Sequence, residues 1–129
     1  MQIDRVYNWR DEDREGLYLV DRLWPRGVKK ESLKLAGWPK ELTPSSDLRK
    51  EFHDDMSFEK FSKKYVAELD QSREGGDLDE ILDELRDYQE QEHKGEAPEL
   101  LLLYAAKETE QNHAMVLCDW LKPLLKKNS

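Results

Sequence analysis

Asp21-Arg22-Leu23-Trp24-Pro25-Arg26-Gly27 sets one acid and two arginines around a tryptophan within a single short stretch. Two guanidinium groups offer planar forks of donors that match a carboxylate or a phosphate, a fit that lysine's point charge does not reproduce. Trp24 between them is either a flat apolar wall for a ligand or a core residue, while Pro25 stiffens the loop and Gly27 permits a tight turn. Three roles are open to Asp21: pairing with Arg22 or Arg26, accepting backbone hydrogen bonds at a strand end, or acting as a base. A second group stands far along the chain at Asn112-His113, near a helix start, where unsatisfied backbone donors favour negative charge. A neutral His113 there is either a proton carrier near pH 7 or a residue satisfied by the helix start. Arg49, with Lys40, Ser45 and Ser46, completes the candidate set. The chemistry these residues share is recognition of a small phosphorylated, nucleotide-like or carboxylated anion.

They meet only if the fold brings three loops together. Leu17-Tyr18-Leu19-Val20 reads as a strand buried on both faces, as at the centre of a parallel sheet. The segment from Met1 to Asn8 alternates loosely and reads as an edge strand. Leu33 to Trp38 is a weaker strand interrupted by Gly37. The apolar run from Leu100 to Ala106 belongs in the sheet interior. Helices fill the rest. Ser45 or Ser46 caps a short one through Asp55, and Ser57 caps a second with Phe58, Phe61, Tyr65 and Leu69 on one stripe. A third opens at Asp77 with Glu80 at capping-box spacing. The last starts between Glu110 and Asn112, and Pro123 predicts a kink or break near Lys122. Strands alternating with helices give the α/β class: one three-layer domain over residues 1–129, with a small, mostly parallel sheet flanked by helices. Ligands in such sheets bind at the carboxyl ends of the strands, where the loops after Val20, Leu35 and Ala106 would converge.

Composition narrows the function classes. Charged residues make up 39% of the chain and the formal charge is −8, so long-range attraction to nucleic acid or anionic lipid is disfavoured and neither is an expected partner. Yet from Asp21 to Lys50 eight basic residues stand against four acidic ones, a local excess of positive charge in an acidic chain. Cys118 is the single cysteine, which excludes an intrachain disulfide and any multi-cysteine zinc site. Set in an apolar helix, it reads as a small buried hydrophobe. His53-Asp54-Asp55 has metal-ligand residue types without ligand spacing and reads as a helix-end surface cluster. No metal is expected, and no motif names a cofactor. The longest apolar run is too short to span a bilayer and no leader pattern is visible, so the expected location is the cytoplasm.

At "LVDRLWPRGVKKESL", "WPKELTPSSDLRKEFHDD", "FEKFSKKYVAEL" and "LLYAAKETEQNHAMVLCDWL" the chain resembles the YeaO-like branch of a widespread bacterial family of unknown function. The resemblance covers nearly the whole chain. It implies a single three-layer α/β domain with an unassigned pocket between the Asp-Arg-Leu-Trp-Pro-Arg-Gly loop and the Asn-His helix start. Other branches resemble "LLCAE" followed by "CHR"; here Tyr104 stands at the first cysteine position, and Asn112-His113-Ala114 stands for Cys-His-Arg. Neither position keeps a thiol, which argues against nucleophilic cysteine chemistry. Pro39 and Thr43 are small departures from the branch pattern in the middle loop.

Three functions remain open. In an enzyme, Asp21 and His113 would be the catalytic pair, with Arg22, Trp24, Arg26, Arg49, Tyr104 and Asn112 holding the ligand. A non-catalytic sensor would use the same pocket without His113 chemistry. A protein-interaction module would instead use the acidic helix around Asp79, Glu80, Asp83 and Glu84 and exposed tryptophans.

Overall fold

The computed structural model describes residues 1–126. Three short strands, β1 (Gln2–Arg5), β2 (Leu17–Leu19) and β3 (Leu101–Tyr104), form an all-parallel sheet in the order β1-β3-β2. The registers pair Arg5 with Tyr104 and Leu19 with Leu103, so all three strands end along one edge. Four α-helices follow the same chain order: α1 (Ser46–Asp55), α2 (Phe58–Glu74), α3 (Asp79–His93) and α4 (His113–Leu125). The chain is therefore a single α/β domain.

Strand alternation divides the core. Tyr18, Val20, Leu100, Leu102 and Tyr104 face one side and pack with apolar residues of all four helices, including Leu48, Phe61, Leu85 and Leu117. Leu17, Leu101 and Leu103 face the other side, which holds no α-helix among the described residues. There Val6, Tyr7 and Trp9 of the 3-10 turn Val6–Trp9 cover the sheet together with Trp24, Val28, Leu33 and Leu35. The third layer is thus made of 3-10 turns and extended loops. An uninterrupted leucine run suits β3, because the central strand of a covered parallel sheet is apolar on both faces.

Several sequence expectations need correction. β2 is not the centre of the sheet; β3 is. β2 is buried on both faces nonetheless, because its outer edge is covered by Ala36, which donates to the Leu17 carbonyl, and by Gly37, which accepts from Leu19. The segment Leu33 to Trp38 makes only one isolated bridge, Tyr18 to Gly37, and is not a strand. α3 starts at Asp79 rather than Asp77, and no side chain caps it. The reversal at Gly75-Gly76, with Gly76 at φ +84°, occupies the residues after α2 and carries Leu78 into the core. α4 continues through Pro123 to Leu125 without a break. Pro123 lies on the exposed side while Leu121 and Leu125 are buried, so packing holds the helix and the Asp119 end of the lost bond lies on the solvent side. Ser45 and Ser57 cap α1 and α2 as their positions predict, accepting from Leu48 and Lys60.

Candidate functional site

Side chains take over where the ladder stops at the carboxyl edge. The Val20 amide donates to the Leu103 carbonyl at 2.9 Å, and one residue on, Asp21 Oδ2 accepts the Ala105 amide at 2.9 Å. From the opposite edge, Arg5 donates through Nε to the Ala106 carbonyl at 3.0 Å and through a terminal nitrogen to Ala105 at 3.1 Å. The exits of β1 and β2 therefore clamp the exit of β3. This fixes where Ala105 and Ala106 lie before the chain turns toward α4.

α4 begins at that edge because Asn112 caps it. Its Oδ1 accepts the Met115 amide at 2.9 Å, and its Nδ2 donates to the Glu108 carbonyl at 2.8 Å. Both ends of the Asn112 amide are used in building the helix start. His113, the first helical residue, then reaches back to β2: its Nε2 lies 3.0 Å from the Val20 carbonyl and 2.9 Å from Asp21 Oδ1. A carbonyl oxygen only accepts, so hydrogen bonding to Val20 requires the proton on Nε2, which leaves Nδ1 as the position that gains or loses one. That N–H is aligned on Val20 and not on Asp21. Asp21 Oδ1 consequently lies close to the ring nitrogen without a hydrogen bond, and is the one buried side-chain polar atom without a hydrogen-bond partner among the described residues. Leaving such an oxygen unsatisfied costs about 1–3 kcal/mol. The two side chains are 15% and 18% exposed, at the wall of a cleft rather than deep in the core.

The cleft is open and encloses ≈ 1110 Å³. Its lining includes Asp21 to Arg26 from the first loop, Pro44, Ser46 and α1 from the second, and Ala105, Ala106, Glu108 and Gln111 to His113 from the third. The three loops do converge on it. Arg22 is oriented by its Nε, which donates to the Pro44 carbonyl at 3.1 Å and ties the first loop to the second. Its terminal nitrogens are left free of carboxylates. Arg26, Arg49 and Lys50 also line the cleft, and no ion pair among the described residues involves any of these four cations. Trp24 is half-buried. Its indole N–H donates to the Val28 carbonyl at 2.6 Å, and its ring meets Trp38 edge-on at 5.4 Å.

Not every candidate lies in the lining. Tyr104 is buried in the helix-side core and outside the cleft, and burial pushes its phenol up from the ordinary value. Lys40 instead sits over the Trp38 ring at 4.1 Å, while the Ser45 hydroxyl donates to Glu68 at 2.6 Å besides capping α1. Other lining residues were not foreseen. Phe52, His53 and Met56 follow the expected Arg49 at steps of three and four, so one stripe at the end of α1 borders the cleft. His53-Asp54-Asp55 is the exposed helix-end cluster expected from the sequence, and His53 and Asp54 also border the cleft. Glu108 also lines the cleft; amide donors from Glu110 and Gln111 hold its carboxyl below the usual range. Cys118 is buried, and burial pushes its thiol up. Among the described residues, no group of three or more histidine, cysteine or acidic side chains could hold a metal ion, and no helix is long and apolar enough to cross a membrane.

A family model described as the inactive DUF488-N3 subclade matches residues 1–129. The chain belongs to this DUF488 subclade. It is 44% identical over 126 residues to the uncharacterised protein YeaO of Escherichia coli, covering 96% of this chain and 98% of that one. An uncharacterised protein of Mycobacterium tuberculosis is 36% identical over 73 residues, covering 56% of this chain and 62% of that one. No solved structure matches. Of the two residues that the resemblance sets at cysteine positions, Tyr104 is core and Asn112 is a helix cap.

Proposed function

We propose that the cleft at the carboxyl edge of the sheet binds a small phosphorylated, nucleotide-like or carboxylated anion, and that it does so as a binding site rather than through cysteine catalysis. The observation that carries this reading is the set of four cationic side chains, Arg22, Arg26, Arg49 and Lys50, lining one cleft without a paired carboxylate. Cations brought together in this way repel one another, an arrangement that a bound anion would relieve. Arg22 would supply the oriented fork, since Pro44 fixes its Nε and leaves the outward donors available. His113, held through Nε2, would add a donor from Nδ1 when protonated.

Two observations favour a sensor over an enzyme. The matching family model is described as inactive, and neither the Tyr104 nor the Asn112 position offers a thiol. The interaction-module reading finds less support. Glu84 accepts the Tyr18 hydroxyl at 2.6 Å and Asp83 pairs with Arg86, so half of its acidic patch is engaged within the domain. All four tryptophans are half-buried, with their indole N–H groups bonded inside the chain.

The test is a thermal-shift screen at one ionic strength with phosphate, nucleotides, sugar phosphates and dicarboxylates, on wild type and Arg22→Ala. A ligand at a hundred times its Kd adds ~2.7 kcal/mol, enough to raise the midpoint by several degrees. The expected result is a ligand-dependent rise in wild type that Arg22→Ala loses. A rise of equal size in both proteins, or none with any anion, would refute the reading.

A further inference from the structure

The cationic groups occupy only part of the cleft. α1 presents Arg49 and Lys50 to it in its middle turn, and then Phe52 and Met56 toward its end. With a rise of ~1.5 Å per residue, Arg49 and the cap residue Met56 stand roughly 10 Å apart along the helix, with His53 and Asp54 also in the lining between Phe52 and Met56. Phe58 and Phe61 of α2 continue the apolar wall. The rings form one cluster. Phe52 stacks on Phe61 with centroids 4.3 Å apart and planes 23° apart, and Phe58 lies 6.3 Å from both. Phe61 is buried, so its place is explained by the core. Phe52 and Phe58 are only partly buried and line the opening, which leaves apolar ring surface toward solvent beside unpaired cations.

Phosphate or a small dicarboxylate would cover the arginines and leave these rings wet. We infer that the cleft takes an anion carried on a planar aromatic body: the anionic group meets Arg22 and Arg49, and the ring lies against Phe52 and Phe58. This rests on the anion-binding reading above and narrows its ligand class. The cations and the rings stand within about 10 Å of one another along the same cleft wall, so one ligand of about nucleotide length would satisfy both ends. The aromatic body could be a nucleobase or a simple aryl group, and matched probes separate the two.

The experiment compares, by isothermal titration at one ionic strength, phenyl phosphate with methyl phosphate and AMP with ribose 5-phosphate. Each pair shares its anionic group and differs in the ring. Wild type should bind at least one aromatic member about tenfold more tightly than its partner or better, the effect expected for covering a ring. Phe58→Ala and Phe52→Ala should each reduce that preference while leaving methyl phosphate or ribose 5-phosphate affinity unchanged. Phe58→Leu, which keeps apolar volume without a flat face, guards against a folding defect and should show an intermediate preference. A preference in the AMP pair alone identifies a nucleobase; a preference in the phenyl pair identifies a simple aryl anion. Equal affinities within both pairs would overturn the inference and leave anion binding standing. A ring preference that survives both phenylalanine variants, or that disappears only in Trp24→Ala, would also overturn it. No binding of any of the four would overturn this inference and the phosphate part of the anion-binding reading, whose carboxylate part the dicarboxylate screen decides.

Discussion

Asp21→Asn separates a residue kept for stability from one kept for a ligand. In the native chain Oδ2 accepts the Ala105 amide, while Oδ1 is buried without a hydrogen bond, 2.9 Å from His113 Nε2. An asparagine carbonyl can retain the Ala105 bond, at a loss of about 1 kcal/mol as an ionised acceptor becomes neutral. Removing an unsatisfied carboxylate oxygen returns about 1–3 kcal/mol. The new amide N–H would face the His113 N–H, which costs roughly 1 kcal/mol through a weakened Val20 bond or a tautomer change. These terms nearly cancel. Asp21→Asn is therefore expected to unfold in urea within about 1 kcal/mol of wild type, while anion affinity falls because the amide N–H set against His113 Nε2 turns the ring away from the place it holds at the cleft wall. Destabilisation beyond about 3 kcal/mol with anion affinity intact would refute this reasoning and make Asp21 a purely structural tie between β2 and β3.

Burial raises the phenol pKa of Tyr18 and Tyr65, Tyr18 further through its bond to Glu84, and the folded chain therefore favours the neutral phenols. Their contribution is fully present below the unfolded value of ~10 and is lost as pH rises toward the folded values, so urea midpoints should fall above about pH 10. Tyr65→Phe removes the donor to the buried Leu42 carbonyl and should cost about 1–3 kcal/mol in the same assay at neutral pH. Cys118, buried and with a raised thiol pKa, should react with iodoacetamide at pH 7.5 much more slowly than in 6 M guanidinium, roughly in proportion to the unfolded fraction; equal rates would contradict the burial. Gly16 sits at φ +80° with Tyr88 where a Cβ would go, so Gly16→Ala should lower stability by about 1–3 kcal/mol as Tyr88 gives up its bond to the Pro98 carbonyl.

Which parts of the fold were legible depended on how local their causes are. β3 could be read because seven apolar residues run together, α1 and α2 because Ser45 and Ser57 are local caps, and α4 from its apolar spacing, though Asn112, expected in the site, turns out to be its cap. α3 was misplaced by two residues because the Asp77 spacing competes with a reversal at Gly75-Gly76 and with burial of Leu78, and the tertiary effect wins. A kink or break was expected at Pro123, and the break does not occur because its side of α4 faces solvent, which sequence does not reveal. The site was visible as three loop segments rich in arginine and polar caps. The contact of His113 with Val20, 93 residues away, was not, since it depends on β2 and α4 meeting at one edge. Nor did sequence show that Tyr104 turns to the helix side, or that α1 offers Phe52 and His53 to the cleft beside Arg49.

The central claim is that the unpaired cations of the cleft bind an anion, and titrating phosphate into wild type, Arg22→Ala and Arg49→Ala by calorimetry at constant ionic strength tests it most directly. Wild type should show a saturable site with one phosphate per chain, and each variant should bind about tenfold more weakly, a difference of ~1.4 kcal/mol. No saturable heat in wild type, or the same affinity in all three proteins, would contradict the account.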